Sequence, residues 1–207
     1  MASTINATTS SGIVATADNT GTLQLQSAGT TSATFNTFGI GLGSATPSSG
    51  IGITFPAAQS ASSDANTLDD YEEGTWTPTV AGGSTAGTYT YSTRAGSYIK
   101  IGRIVVASFT LTAITASSAG TGGLTITGFP FTAGGSSSYG DRAFNVVSRM
   151  RFMANARSNV FLLLGANSTT GFYVYDNNGT GGGTDIPVTD IASGNTQLGA
   201  TVVYLTD

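Results

Sequence analysis

Residues able to do chemistry are few in this 207-residue chain, and they are unevenly placed. Four of the eleven acids, Asp69, Asp70, Glu72 and Glu73, crowd into the segment "LDDYEEGTWTPTV", directly before the single tryptophan, Trp76. Three roles fit such a cluster: a carboxylate pair, a metal site, or a seam between two differently built parts. Glycosidases hold two carboxylates at a fixed separation, and such pairs normally come from different strands. Four acids within five residues point in several directions instead. Calcium loops intersperse Gly and Asn among their acids, and this segment does not. The favoured reading is a solvated acidic connector over 68–80, made of Asp69, Asp70, Tyr71, Glu72, Glu73 and Trp76, with no catalytic residue, metal ligand or cofactor assigned. Trp76 could stack on a sugar; a lone tryptophan opening a β domain is read here as a core anchor.

Other reactive types are scarce or absent. The chain has neither histidine nor cysteine. That excludes disulfides, thiolate chemistry, His- or Cys-ligated zinc and any triad with a histidine base. The basic residues Arg142, Arg149, Arg151 and Arg157 could meet phosphates or an anionic polysaccharide. Pairing with a neighbouring subunit or simple solvation suits them better, because Arg149 and Arg151 alternate with Met150 and Phe152 as on a half-buried strand. The Gly-rich pieces "SSAGTGG" and "NNGTGGGTD" lack the Lys-Ser/Thr of a phosphate loop. They read as long loops on a rigid β scaffold, where binding function usually sits. Tyr139, Arg142, Tyr175, Asn177 and Asn178, with Tyr173 nearby, are the candidate receptor-contact residues.

The elements that must carry these residues are strands. Only 9% of residues are charged, 29 are glycine, and Thr, Val, Ile, Tyr and Phe recur between Gly/Ser breaks. This composition favours an all-β fold with many turns. The net charge of −4 argues against a sequence-independent grip on nucleic acid. No apolar run approaches the roughly 18 residues of a membrane span. The opening "MASTINATTSSG" is not expected to act as a secretory signal.

Charge divides the chain. Residues 1–93 contain no basic residue, and all seven lie between Arg94 and Arg157. Residues 1–67 hold short apolar alternations whose Val14, Leu23, Leu25, Phe35, Phe38, Ile40, Leu42, Ile51, Ile53 and Phe55 recur too regularly for a solvated tail. None can close a private core, so this stalk is expected to order by packing against copies of itself. Val14, Leu23, Leu25, Phe35, Phe38 and Ile40 are the candidate particle-anchoring and stalk residues. Residues 1–66 alone are predicted to be unfolded; a cooperative melt of that peptide as a monomer would refute this. Residues 81–207 are predicted to form a β-sandwich or jelly-roll-like domain of seven to nine strands. A turn is expected at Arg94–Gly96, and a hairpin joining "FNVVSRMRFMAN" to "NVFLLLG" around Ala156–Ser158. "SFTLT" should turn Phe109 and Leu111 to one face and Ser108, Thr110 and Thr112 to the other.

Taken together, "LDDYEEGTWTPTV", "YSTRAGSYIKIGRIVVASFTLT" and "GLTITGFPF" resemble a recurring module of bacteriophage tail-fibre and related virion appendage proteins. Tyr98, Lys100, Ile101 and Gly102 match its "Y-x-K-I-G" pattern, and Phe129 replaces the usual Leu of "GLPF". The match covers about residues 67–131; nothing from 132 onward is matched. The resemblance implies a homotrimeric structural protein without enzymatic activity. It would be made in the host cytoplasm and placed on the exterior of the virion. Its N-terminus would contact other virion proteins, and its C-terminal domain a host surface glycan or protein. A capsid decoration protein or head fibre is the alternative. A glycan depolymerase is the minor one, since the C-terminal domain offers only Asp141, Asp176, Asp185, Asp190 and Asp207 as carboxylates. Neither nucleic-acid binding nor membrane insertion is expected.

Overall fold

A computed structural model describes residues 21–58, 62, 64, 66–68, 70–133, 143–151, 153–155, 160–164, 171–176, 184–191 and 194–206, with side chains at 143–149, 161, 163 and 164 excepted. The fold is all-β, and the chain divides into two compact units, Met1–Asp69 and Asp70–Asp207. Val14 lies outside the described residues.

The first unit is a four-stranded sheet of β1 (Leu23–Ser27), β2 (Thr30–Asn36), β3 (Gly39–Leu42) and β4 (Gly52–Thr54), in that order. The first three strands are antiparallel, and β4 joins β3 in parallel. Register makes the two faces unlike. Leu23 opposes Phe35, Phe35 opposes Ile40, and Ile40 opposes Ile53; Leu25 opposes Ala33, which opposes Leu42. Directly opposed residues share a face, so these side chains gather on one mainly apolar face, with Gln26 and Thr31 at its end beyond the β1 bulge. The opposite face carries Gln24, Thr34 and Gly41 in register. The segment between β3 and β4 lies on that second face: a Cβ on Gly41 would stand 2.0 Å from the Ala45 carbonyl oxygen, and Asn36 Nδ2 donates to the Pro47 carbonyl at 2.9 Å. The apolar face keeps Leu23, Leu25, Leu42 and Ile53 exposed. Phe38 is exposed in the β2–β3 turn, and Ile51 stands almost fully in solvent before β4.

The β1–β2 turn contains a misfit. Its central residues Ala28 and Gly29 have φ of 49° and 77°. Two successive positive φ values define a type I′ turn, which matches strand twist and favours Asn-Gly. An alanine there crowds its Cβ against the backbone, at roughly 1 kcal/mol. Ala28→Asn should relieve this and slow amide exchange along the β1–β2 ladder about five-fold, equivalent to ~1 kcal/mol.

The second unit is a β-sandwich. One sheet runs β11 (Ala143–Arg151), β15 (Thr196–Leu205), β9 (Ile104–Ser118), β8 (Thr93–Ile101), β5 (Tyr71–Trp76), with β7 (Thr88–Thr90) also pairing β9. The other runs β12 (Val160–Leu164), β13 (Gly171–Asp176), β10 (Leu124–Thr127), β6 (Thr79–Gly82), with β14 (Thr184–Asp185) on β13. A short 3₁₀ turn, η1 (Val188–Asp190), precedes β15. The core lies between the sheets. Val105, Ala107, Phe109, Leu111, Leu198 and Val202 come from the first, and Val80, Leu124, Ile126, Leu162, Phe172 and Val174 from the second. The alternation expected of "SFTLT" is present: Phe109 and Leu111 are buried, and Thr110 is exposed. Positive φ at Ala113, beside the register shift opposite Thr196–Leu198, bulges β9 so that its far end pairs β7.

Two expected connections are corrected. β8 runs unbroken through Arg94–Gly96, and the turn lies at Gly102–Arg103, where Gly102 supplies φ of 53°. Gly96 is there for space, as described below. "FNVVSRMRFMAN" and "NVFLLLG" do not form a hairpin: β11 pairs β15 and β12 pairs β13, so the chain crosses from one sheet to the other. Both segments must bury an apolar face, and the sandwich offers each a different sheet.

Candidate functional site: the acidic strand and the outer sheet faces

From Asp70 onward the acidic segment belongs to the second unit, so the connector expected over 68–80 is largely a strand. β5 is the edge strand of the larger sheet, antiparallel to β8 with Tyr71 opposite Ile101 and Trp76 opposite Gly96. Period-two alternation then sorts its side chains. Asp70, Glu72, Gly74 and Trp76 project to the sandwich side; Tyr71, Glu73 and Thr75 project outward.

Each inward group has a partner on β8. The Lys100 ammonium donates to the Asp70 carboxylate in a buried ion pair, and the Gly102 amide donates to the Asp70 carbonyl at 3.0 Å. The Tyr98 hydroxyl donates to Glu72 Oε1. Gly74 leaves room for that ring, since a Cβ there would meet the Tyr98 oxygen at 2.8 Å. Trp76 Nε1 donates to the carbonyls of Ser97 at 3.2 Å and Ser108 at 3.1 Å, with its indole lying over Gly96.

The third motif, "GFPF", closes the same cluster. Phe129 stacks on Trp76 at 4.5 Å and touches Phe172 and Tyr204. Phe131 meets Tyr98 edge-on at 5.2 Å, and Lys100 Nζ lies 5.4 Å from the Phe131 ring centre. Three sequence segments matched only as text therefore converge in one packed assembly. Sequence reasoning missed this convergence; the signal available was the spacing of 70, 72, 74 and 76 against 96, 98 and 100, which is that of two paired strands.

This assembly is built to hold, not to react. Its ammonium and one carboxylate neutralise each other out of water, and its tryptophan donates to backbone. The Glu72 carboxylate, accepting from the hydroxyl, pushes the Tyr98 pKa up to about 12, with burial adding to the shift. Burial pushes Tyr204 up to about 12 as well, partly opposed by its hydrogen bond to the Phe131 carbonyl. Both folded values exceed the ordinary 10.0. The stabilisation is therefore complete below pH 10 and disappears as pH rises through about 12. Phenolate absorbance should show these two tyrosines ionising last. Tyr98→Phe should remove one late component, and a titration in which all tyrosines ionise together would contradict the geometry.

The remaining expected site residues are dispersed. Tyr139, Arg142, Asn177, Asn178 and Asp69 lie outside the described residues, as do Arg157, Asp141 and Asp207. Tyr175 is half-buried on β13 rather than in a loop, its ring 6.3 Å from that of Tyr173. Arg151 is exposed at the end of β11. Arg94 reaches the Pro78 carbonyl at 2.7 Å, and Arg103 that of Thr206 at 2.8 Å. Asp190 is buried and accepts from Asn155 Nδ2 at 2.8 Å. Tyr175 opposes Asp185 while Asp176 opposes Thr184, so Asp176 and Asp185 face opposite sides of their sheet. Among the described residues no three acids gather as metal ligands.

No family model and no curated protein matches the chain. Among solved structures it is similar to the crystal structure of Dettilon tailspike protein (gp208), with a TM-score of 0.50 and 16% identity. The match covers 65% of this chain and 23% of that one. At that identity the likeness is one of fold, and this chain spans less than a quarter of the tailspike's length.

Proposed function

We propose that this chain is a structural protein of a bacteriophage virion, a tail appendage without enzymatic activity. One observation carries the reading: the three segments resembling the appendage module pack into a single assembly, with Asp70 on Lys100, Glu72 on Tyr98 and Trp76 on Phe129. The resemblance thus covers a structural unit, and the likeness in fold to a tailspike agrees with it. The chain works as a homotrimer on the outside of the particle. Support comes from the first unit, whose sheet leaves Leu23, Leu25, Leu42 and Ile53 exposed on one apolar face. Such a face is stabilised by burial against further copies. The N-terminal unit joins other virion proteins, and the second unit meets the host surface, glycan or protein.

Gold-labelled antibody against residues 132–207, imaged on intact particles of the source virus, tests the assignment. Label at the tail is expected. Label scattered over the head would replace it with a capsid decoration protein or head fibre, and no label would refute a virion protein. Release of reducing sugar from host glycans, lost on Asp141→Asn, Asp176→Asn or Asp185→Asn substitution, would overturn the non-enzymatic reading.

A further inference from the structure

The outer face of the smaller sheet holds a group of side chains that the packed acidic assembly does not use. Phe172 and Val174 of β13 are buried in the core, so Tyr173 and Tyr175 project outward, and both are half-buried. Their ring centres lie 6.3 Å apart, with planes inclined at 58°. Asp185 of β14 pairs directly with Tyr175, which puts its exposed side chain on the same face.

Two glycines set how these groups lie. A Cβ on Gly83, just after β6, would stand 3.1 Å from Tyr173 Cε1. β10 separates β13 from β6, so the Tyr173 side chain must lean across β10 to reach that point. On the way it covers Thr125, its register partner, which projects outward yet is buried and donates its hydroxyl to the Ala81 carbonyl at 2.9 Å. One side of the ring therefore rests on the sheet and the other turns outward. A Cβ on Gly123 would stand 2.9 Å from Asp185 Oδ2, so that carboxylate lies over bare backbone too. The Gly83 amide donates to the Gly123 carbonyl at 2.7 Å, which brings the reclining ring and the carboxylate to neighbouring points. The three groups make an aromatic floor, a second ring inclined to it, and an anionic acceptor at the edge.

We infer that this corner binds a sugar unit of a neutral glycan. The carbon–hydrogen face of a pyranose is apolar and stacks on an aromatic ring, while its hydroxyls donate to a carboxylate in charge-assisted hydrogen bonds. Tyrosine suits the role because it offers rigid contact area at little conformational cost. Charge then selects among glycans. The basic residues with described side chains, Arg94, Lys100, Arg103 and Arg151, belong to the larger sheet or its β8–β9 turn. Arg94 does reach across, but to the Pro78 carbonyl, at the end of β6 away from Gly83. A uronic or sialic acid would bring its carboxylate against Asp185 with none of these cations beside it. The inference rests on the host-contacting part of the proposed function. It moves that contact from the Gly-rich loops to a sheet face and names its chemistry.

A glycan array probed with the full chain tests it. The array carries neutral oligomers of glucose, galactose, mannose and N-acetylhexosamines beside others that contain uronic or sialic acid. Binding to at least one neutral class is expected, with the acidic glycans weaker. Tyr173→Leu keeps apolar cover over Thr125 but removes the ring; it should weaken that binding about ten-fold with an unchanged circular dichroism spectrum. Tyr173→Phe should bind within about two-fold of the parent, since the ring remains. Asp185→Asn, at an exposed position that does not burden the fold, should weaken neutral binding about five-fold and narrow the gap to acidic glycans. Binding that both Tyr173→Leu and Asp185→Asn leave intact would overturn this site and place the glycan contact elsewhere. Binding confined to acidic glycans would refute the neutral class, and a blank array would refute the inference outright. The virion assignment stands or falls separately, on the particle labelling.

Discussion

Lys100→Met is expected to destabilise the second unit by about 3–5 kcal/mol, the usual cost of leaving one member of a buried ion pair without its partner. Lys100 and Asp70 are both buried, with side-chain accessibilities of 5% and 10%. Removing the ammonium leaves a carboxylate that must either stay charged out of water or take up a proton. Asp70→Asn in the same chain should recover part of the loss, because the neutral amide needs no counter-charge. Replacing both residues, as Asp70→Leu with Lys100→Met, should return stability close to that of the parent chain. Urea unfolding followed by circular dichroism gives the three values. A Lys100→Met loss under 1 kcal/mol would place the pair in water, contrary to its burial.

Gly96→Ala is expected to cost about 3 kcal/mol, at the upper end of the usual cost of an added methyl in a packed core. The new Cβ would stand 2.5 Å from Trp76 Nε1 and 2.6 Å from Cε2. The indole has no free path away, because it stacks on Phe129, meets Phe109 edge-on at 5.9 Å and donates to two carbonyls. Displacing it breaks those bonds and opens the core beneath. Trp76→Phe alone should also destabilise, through the lost donor and the smaller ring. The two changes should be less than additive when combined, since the smaller ring leaves room for the methyl. A thermal-melt double-mutant cycle measures the coupling. Strict additivity would show that the ring does not lie on Gly96.

Much of the strand content was legible in the residues. Alternation in "SFTLT" reflects a physical necessity: a strand with one buried face must repeat every second residue. The same logic marked Leu23, Leu25, Phe35 and Ile40 as apolar positions of the first unit. Their gathering on one face depended on register, which local pattern does not state. Two errors show the limit more directly. Gly96 looked like a turn residue because glycine is common in turns; its real constraint is an indole from another strand. "FNVVSRMRFMAN" and "NVFLLLG" looked like a hairpin because adjacent strands usually pair; the need for two covered sheets sent them apart.

The acidic segment divides the two kinds of information most sharply. By itself the sequence determined an all-β chain without thiol, imidazole or dense positive charge, together with a motif resembling phage appendages. The missing thiol and imidazole and the sparse positive charge follow from which atoms are present, and folding cannot alter them; the strand content follows from local pattern, which the sheets then bore out. Whether Asp70 is a solvated connector residue or half of a buried ion pair depends on Lys100, thirty residues away. The same holds for Glu72 with Tyr98 and for Trp76 with Phe129. Only tertiary structure decided these, because the energy of a charge or a ring is set by what surrounds it. Those surroundings are supplied by segments distant in sequence and adjacent only when the sheet is assembled.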